Sequence, residues 1–227
     1  MRQSKVPNGS ERDLSNIMFV IIAMGDSLTA GYQSAGHDDE VEFTPYTSFL
    51  EERLSEIDRI RKKKMLVQIH NRGISGELTD QMLARFEADV LMPQPNLAIV
   101  LGGSNDIGWG ISPSEVFSNL VKMYDLAEKN MIETIACSIP SILGFDSLVP
   151  PRMELNDMIR KYCVEKGKAF ADLFKATAHP ATKRLLEGYS NDGLHLSTDG
   201  YRKMADTIFD EALKDILDEF VFEGVNV

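Results

Sequence analysis

The chain has 227 residues, 43% of them hydrophobic, enough for one α/β domain whose core needs no disulfide or metal. Asp and Glu number 35 against 24 Lys and Arg, a net charge of −11 that disfavours nucleic acid and anionic membranes as partners. The two cysteines, Cys137 and Cys163, have no metal-ligand spacing and read as buried thiols. The acidic residues form no metal-loop pattern, so neither a metal nor an organic cofactor is expected.

Residues 1–16 are polar and mixed in charge and read as a flexible tail; residues 17–227 read as a single domain. Ile17–Met24 is a continuous apolar run, too short for a membrane span. It lacks the compact basic flank and small-residue cleavage site of a leader, so it reads as a buried strand and the location as cytoplasmic. Thr44-Pro45 opens a helix, with Thr as cap and Pro in first position, that runs through Phe49, Leu50, Leu54 and Ile57. The run Arg61–Lys64 fits a solvated helix end. Leu66–His70 is the second strand. Thr79 to Val90 follows as a helix with Met82, Leu83, Phe86 and Val90 on one face.

Leu97–Leu101 is the third strand, and Ser112-Pro113-Ser114-Glu115 is a capping box ahead of a helix through Phe117, Leu120, Val121, Tyr124 and Leu126. Ile132–Ile139 is the fourth strand, Pro151–Lys166 a helix, Ala169–Leu173 the fifth strand and Asp199–Phe220 a final amphipathic helix. Strand and helix alternate five times, and the strands are apolar throughout. This predicts a parallel sheet covered on both faces, a three-layer αβα sandwich. The expected order is the flavodoxin-like 2-1-3-4-5, whose chain reversal falls between strands one and three; ligands gather at such a point, at the carboxyl ends of the strands.

Four short motifs fall at those ends or on the loop before the last helix. They are Gly25-Asp26-Ser27-Leu28, Asn71-Arg72-Gly73-Ile74-Ser75-Gly76, Gly103-Ser104-Asn105-Asp106 and Asp192-Gly193-Leu194-His195. A serine hydroxyl is a poor nucleophile until a base takes its proton, so Ser27 needs a partner such as a histidine. Taken singly, Ser27 reads as a cap, Asp192 as a turn former and Gly76 as a turn glycine. Together and in this order, the four resemble the sequence blocks of the SGNH hydrolases, also called GDSL esterases or lipases, and the resemblance spans nearly the whole chain.

That resemblance implies Ser27 as nucleophile, His195 as base and Asp192 as the group that orients the imidazole. It also implies an oxyanion hole made of the Ser27 and Gly76 backbone N–H groups and the Asn105 side-chain amide. Glycine at 76 lets the backbone approach a substrate where a Cβ would obstruct it. Asp26 and Asp106 read as carboxylates that hold loop backbone. His37, His70 and His179 read as solvated or structural.

Two apolar loops remain, one with Ile107 and Trp109, the other spanning residues 141–150 with Ile142, Leu143 and Phe145. They either cover the sheet edge or form an acyl-binding wall, with Tyr32 and Phe43 closing the opposite side. The expectation is a serine esterase acting on short or medium acyl chains through an acyl-enzyme, its partner a small-molecule, lipid or sugar ester. A carbohydrate O-deacetylase and a non-catalytic binding protein on the same fold are the alternatives.

Overall fold

Strand β1 (Met18–Gly25) is apolar on both faces, and Ile21, Ile22, Ala23 and Met24 are all fully buried, so it lies in the middle of a sheet. The computed structural model describes residues 18–34, 41–57 and 65–223. The tail of residues 1–16, Ile17, His37 and the run Arg61–Lys64 lie outside the described residues. After β1 come the one-turn helix α1 (Ser27–Ala30), an antiparallel hairpin of β2 (Tyr32–Ser34) and β3 (Val41–Phe43), and helix α2 (Tyr46–Ser55). Strand β4 (Leu66–Gly73), helix α3 (Thr79–Phe86), β5 (Leu97–Leu101), the short α4 (Ser104–Gly108) and α5 (Pro113–Lys129) follow. The chain ends with β6 (Glu133–Cys137), α6 (Val149–Lys166), β7 (Ala169–Ala171), α7 (Leu173–Thr177), α8 (Thr198–Ile208) and α9 (Lys214–Glu223).

The five parallel strands are ordered β4-β1-β5-β6-β7, the expected 2-1-3-4-5 when only sheet strands are counted. Helices α3, α5 and α6 pack side by side, while α2 packs against α8, which gives the three-layer sandwich. Both cysteines are buried free thiols, as expected. No helix among the described residues is long and apolar enough to cross a membrane.

Several boundaries differ from the expectation for local reasons. Pro45, not Thr44, occupies the cap position of α2, its backbone is extended (ψ 143°), and no side chain caps the helix. A residue before proline is pushed out of the helical region, so Thr44 stays extended and its N–H is held by the Gly31 carbonyl at 2.7 Å. The fifth strand stops at Ala171 because Asp172 caps α7, accepting the Lys175 N–H at 3.0 Å. The fourth strand is also shorter than expected, ending at Cys137. Helix α6 starts two residues early, at Val149, with prolines in its opening positions. The last helix contains a π turn, Phe209–Leu213, between α8 and α9, and a second π turn, Glu87–Leu91, extends α3.

Candidate active site

Ser27 directly follows β1 as the first residue of α1 and is 6% exposed. Asp26 caps that turn: its Oδ1 accepts the Leu28 N–H at 2.9 Å, and its carbonyl accepts the Ala30 N–H at 2.9 Å. Gly31 ends the turn in the left-handed conformation (φ 83°), donating back to the Ser27 carbonyl at 2.9 Å. Glycine at 25 is required by close approach, since a Cβ there would lie 2.5 Å from the Leu101 carbonyl oxygen of neighbouring β5. Burial pushes the Asp26 carboxyl up to about 7, against the Leu28 N–H and the Arg152 charge, which pull it down.

The second motif bolts onto the first. Asn71 Nδ2 donates to the Thr29 carbonyl at 2.6 Å and to Thr47 Oγ1 at 3.2 Å, and the Ile74 N–H donates to the Gly25 carbonyl at 3.0 Å. Gly76 follows with φ 81° and open space where a Cβ would project, so its backbone stands clear of the protein. Asn105, on α4 beyond β5, donates from Nδ2 to the Glu77 carbonyl at 3.0 Å, which ties its amide to the residue after Gly76. Asp106 reinforces this junction by accepting Thr79 Oγ1 at 2.6 Å and the Thr79 N–H at 3.1 Å. Among the described residues, the Ser27 and Gly76 N–H groups have no protein acceptor and stay free to donate.

The Asp192–His195 loop is a self-contained clamp. Asp192 Oδ1 accepts the N–H groups of Leu194 at 2.9 Å and His195 at 2.7 Å, while Oδ2 lies 2.8 Å from His195 Nδ1. An ionised carboxylate can only accept, so in the neutral imidazole Nδ1 carries the proton and Nε2 keeps its lone pair. Burial raises the Asp192 pKa, but the hydrogen bonds from His195 and from the two N–H groups outweigh it and hold the carboxyl below its usual range. The Tyr32 ring lies 4.4 Å from the imidazole, which places His195 over the hairpin that leads away from Ser27. Tyr201 OH fixes the Tyr32 carbonyl at 2.5 Å.

Of the five expected pocket residues, two are buried in packed clusters. Ile107 lies on the inward face of α4 in the main core, 2% exposed, and Ile142 is buried in a small second cluster with Val149, Phe174 and Ala178. Trp109, one residue beyond α4, is 80% exposed; Phe145 is exposed and Leu143 half-buried. The loop of residues 141–150 also braces the histidine loop, because the Leu143 N–H donates to the Gly193 carbonyl at 2.8 Å.

Arg85 on α3 went unrecognised in the sequence. Its guanidinium ion-pairs with Glu77 and donates to the carbonyls of Gly25 at 3.2 Å and Arg72 at 2.9 Å, joining the ends of β1 and β4 to the Gly76 loop. The only local signal was Asp89 one turn later, a spacing common to solvated helix faces.

The model of the GDSL-like Lipase/Acylhydrolase family matches residues 23–203, an interval that contains all four motifs. An arylesterase of Vibrio mimicus is 24% identical over 209 residues, covering 86% of this chain and 88% of that protein. Among solved structures, a GDSL-like lipase from Bacteroides thetaiotaomicron VPI-5482 superposes with a TM-score of 0.61 at 22% identity, covering 89% of each chain. An acetylxylan esterase from Geobacillus stearothermophilus reaches 0.68 at 18% identity, covering 87% of this chain and 94% of that one. At such identities the two structures speak for the fold alone. The family match extends over well more than half of the sequence, so the chain belongs to the GDSL-like lipase/acylhydrolase family and is a carboxylic ester hydrolase.

Proposed function

We propose that the protein is a serine esterase working through Ser27, His195 and Asp192, with an oxyanion hole formed by the Ser27 and Gly76 N–H groups and the Asn105 amide. The observation that carries this reading is the Asp192–His195 pair at 2.8 Å, which selects the tautomer with a basic Nε2. In the reaction, Ser27 Oγ bonds to the acyl carbon as His195 Nε2 takes the hydroxyl proton. His195 then gives that proton to the leaving alcohol oxygen as the ester C–O bond breaks. Water attacks the acyl-enzyme, His195 takes a proton from it, and Ser27 recovers its own proton as the carboxylic acid departs. Throughout, Asp192 stays ionised and balances the transient imidazolium.

Short or medium acyl chains fit the apolar side chains on the loops at the carboxyl end of the sheet, namely Trp109, Leu143 and Phe145. The test is turnover of p-nitrophenyl esters of rising chain length by wild type and Ser27→Ala, with fluorophosphonate labelling alongside. Expected are labelling at Ser27 and a loss of more than about 10³-fold in kcat/KM in the variant. Equal turnover by the two proteins would sink the serine mechanism. Labelling without turnover of any p-nitrophenyl ester would instead move the substrate to acetylated sugars.

A further inference from the structure

Arg152 is the largest fully buried side chain among the described residues, 1% exposed, and it lies in the fourth position of α6. That location is costly twice over. A guanidinium withdrawn from water loses its hydration, and one near a helix N-terminus faces the positive end of the dipole. No carboxylate forms an ion pair with it among the described residues, and its buried Nε has no partner. Burial accordingly lowers the Arg152 pKa to about 10, with Asp26 opposing.

The contacts that Arg152 does make all converge on one place. Nη1 donates to Ser104 Oγ at 2.9 Å and to the Pro140 carbonyl at 3.1 Å, and Nη2 donates to the Ser104 carbonyl at 3.4 Å. Ser104 opens α4 directly before Asn105, and Gly103 before it is left-handed (φ 112°) and packed so tightly that a Cβ would lie 2.8 Å from Val116. The guanidinium therefore grips the turn that carries Asn105 by both its side chain and its backbone, and ties it to the exit of β6. Asp26, under Ser27, is the opposing charge that acts on Arg152, and its buried Oδ2 also lacks a partner.

We propose that Arg152 is a positioning residue for ester hydrolysis: it fixes the Ser104–Asn105 turn and sets a buried positive charge behind the oxyanion site. This rests on the serine-esterase reading. A cation that is desolvated and not neutralised by a bonded carboxylate keeps its field, and that field favours an oxygen that becomes negative at Asn105. It adds nothing to binding of the neutral ester, so its effect belongs in kcat and not in KM.

The test compares wild type, Arg152→Met and Arg152→Lys on p-nitrophenyl acetate, with active sites counted by fluorophosphonate labelling and Tm measured alongside. Expected in Arg152→Met is a fall in kcat per labelled site of about 10–100-fold with KM within about 3-fold, because the hole is loosened and no donor is deleted. Arg152→Lys recovers part of kcat, since one ammonium keeps the charge but cannot span Ser104 and Pro140 together. Wild-type kcat per labelled site in Arg152→Met overturns the proposal, whatever its Tm. If Arg152→Met does not fold, Ser104→Ala decides: a several-fold loss of kcat at constant KM supports the clamp, and unchanged kcat overturns it. Absence of Ser27 labelling in wild type would overturn the serine reading and this proposal together, a different outcome from a labelled enzyme indifferent to Arg152.

Discussion

Around Ser27 the chain is locked by close backbone packing, whereas around His195 it is held by a few hydrogen bonds between loops. On the first side, Asp26, Ser104 and Asp106 are buried, and Gly25 and Gly103 let strand ends and turns approach within the reach of a single missing methyl. On the second, the side chains of His195 and Asp192 are 19% and 30% exposed. Their loop is secured by Leu143 N–H to the Gly193 carbonyl, Ser190 Oγ to the His195 carbonyl at 2.6 Å, and Asn191 Nδ2 to the Ser34 carbonyl at 3.1 Å. The nucleophile and Asn105 thus share the rigidity of the sheet, and the base stands on an element that opens at lower cost. A substitution on the base side should strike catalysis and leave stability; on the nucleophile side the two should move together.

The largest expected effect that separates the sides is Asp192→Asn. The amide can no longer hold Nδ1–H as an ionised acceptor does, so kcat should fall by about 10³–10⁴-fold. Tm should change little, because the residue lies on an exposed loop. A Tm loss as large as that of a core variant, or a kcat within about 10-fold of wild type, would contradict the division drawn above.

A pair of glycine substitutions sharpens it at smaller scale. Gly25→Ala puts a methyl 2.5 Å from the Leu101 carbonyl and 2.2 Å from Thr29 Oγ1, with no room to yield in the sheet. It should cost about 1–3 kcal/mol, or several degrees of Tm, together with activity. Gly193→Ala meets the Leu143 carbonyl at 2.4 Å from a left-handed φ of 86°, but there the loop can shift. Its Tm should fall less than that of Gly25→Ala, while kcat drops about 10-fold or more as the imidazole moves. Thermal melts and kinetics on the two variants check this, and equal Tm losses would erase the distinction.

The same division governs what the sequence discloses. The sheet was legible because five apolar runs alternate with helical patterns, even though the edge strand β4 is only exposed to half-buried, and the base pair because Asp192 and His195 lie three residues apart on one loop. The hairpin Tyr32–Ser34 with Val41–Phe43 was not, since three residues a side are too few to carry an alternation. Arg85 and Arg152 were missed for a deeper reason. A long cation in a helix reads as solvent-facing, and their partners Gly25, Arg72, Ser104 and Pro140 are known only once strand ends meet. Trp109 and Ile107 make the converse point, because two positions along one turn separate an exposed ring from a core methyl.

The smallest effect is electrostatic, and it has opposite sign on the two sides. Burial raises the Asp26 pKa from 3.8 to about 7, so the folded state holds that proton more tightly than the unfolded chain does. Its contribution to stability is therefore greatest below about pH 4 and is lost as pH rises through about 7. Asp192 is lowered below 3.8 by its hydrogen bonds, so its contribution is present above about pH 4 and lost as pH falls through the folded-state value. Asp26→Asn keeps a side-chain oxygen for the Leu28 N–H and removes the titration, while Arg152, Asp106, Tyr46 and Tyr201 still face the site. Between about pH 5 and about pH 8 the Tm of wild type should fall by a few degrees more than that of Asp26→Asn. Parallel Tm curves over that range would mean that Asp26 is already ionised in the fold, with its charge balanced by Arg152. The guanidinium would then be spent on the carboxylate under Ser27, and less of its field would reach an oxygen at Asn105.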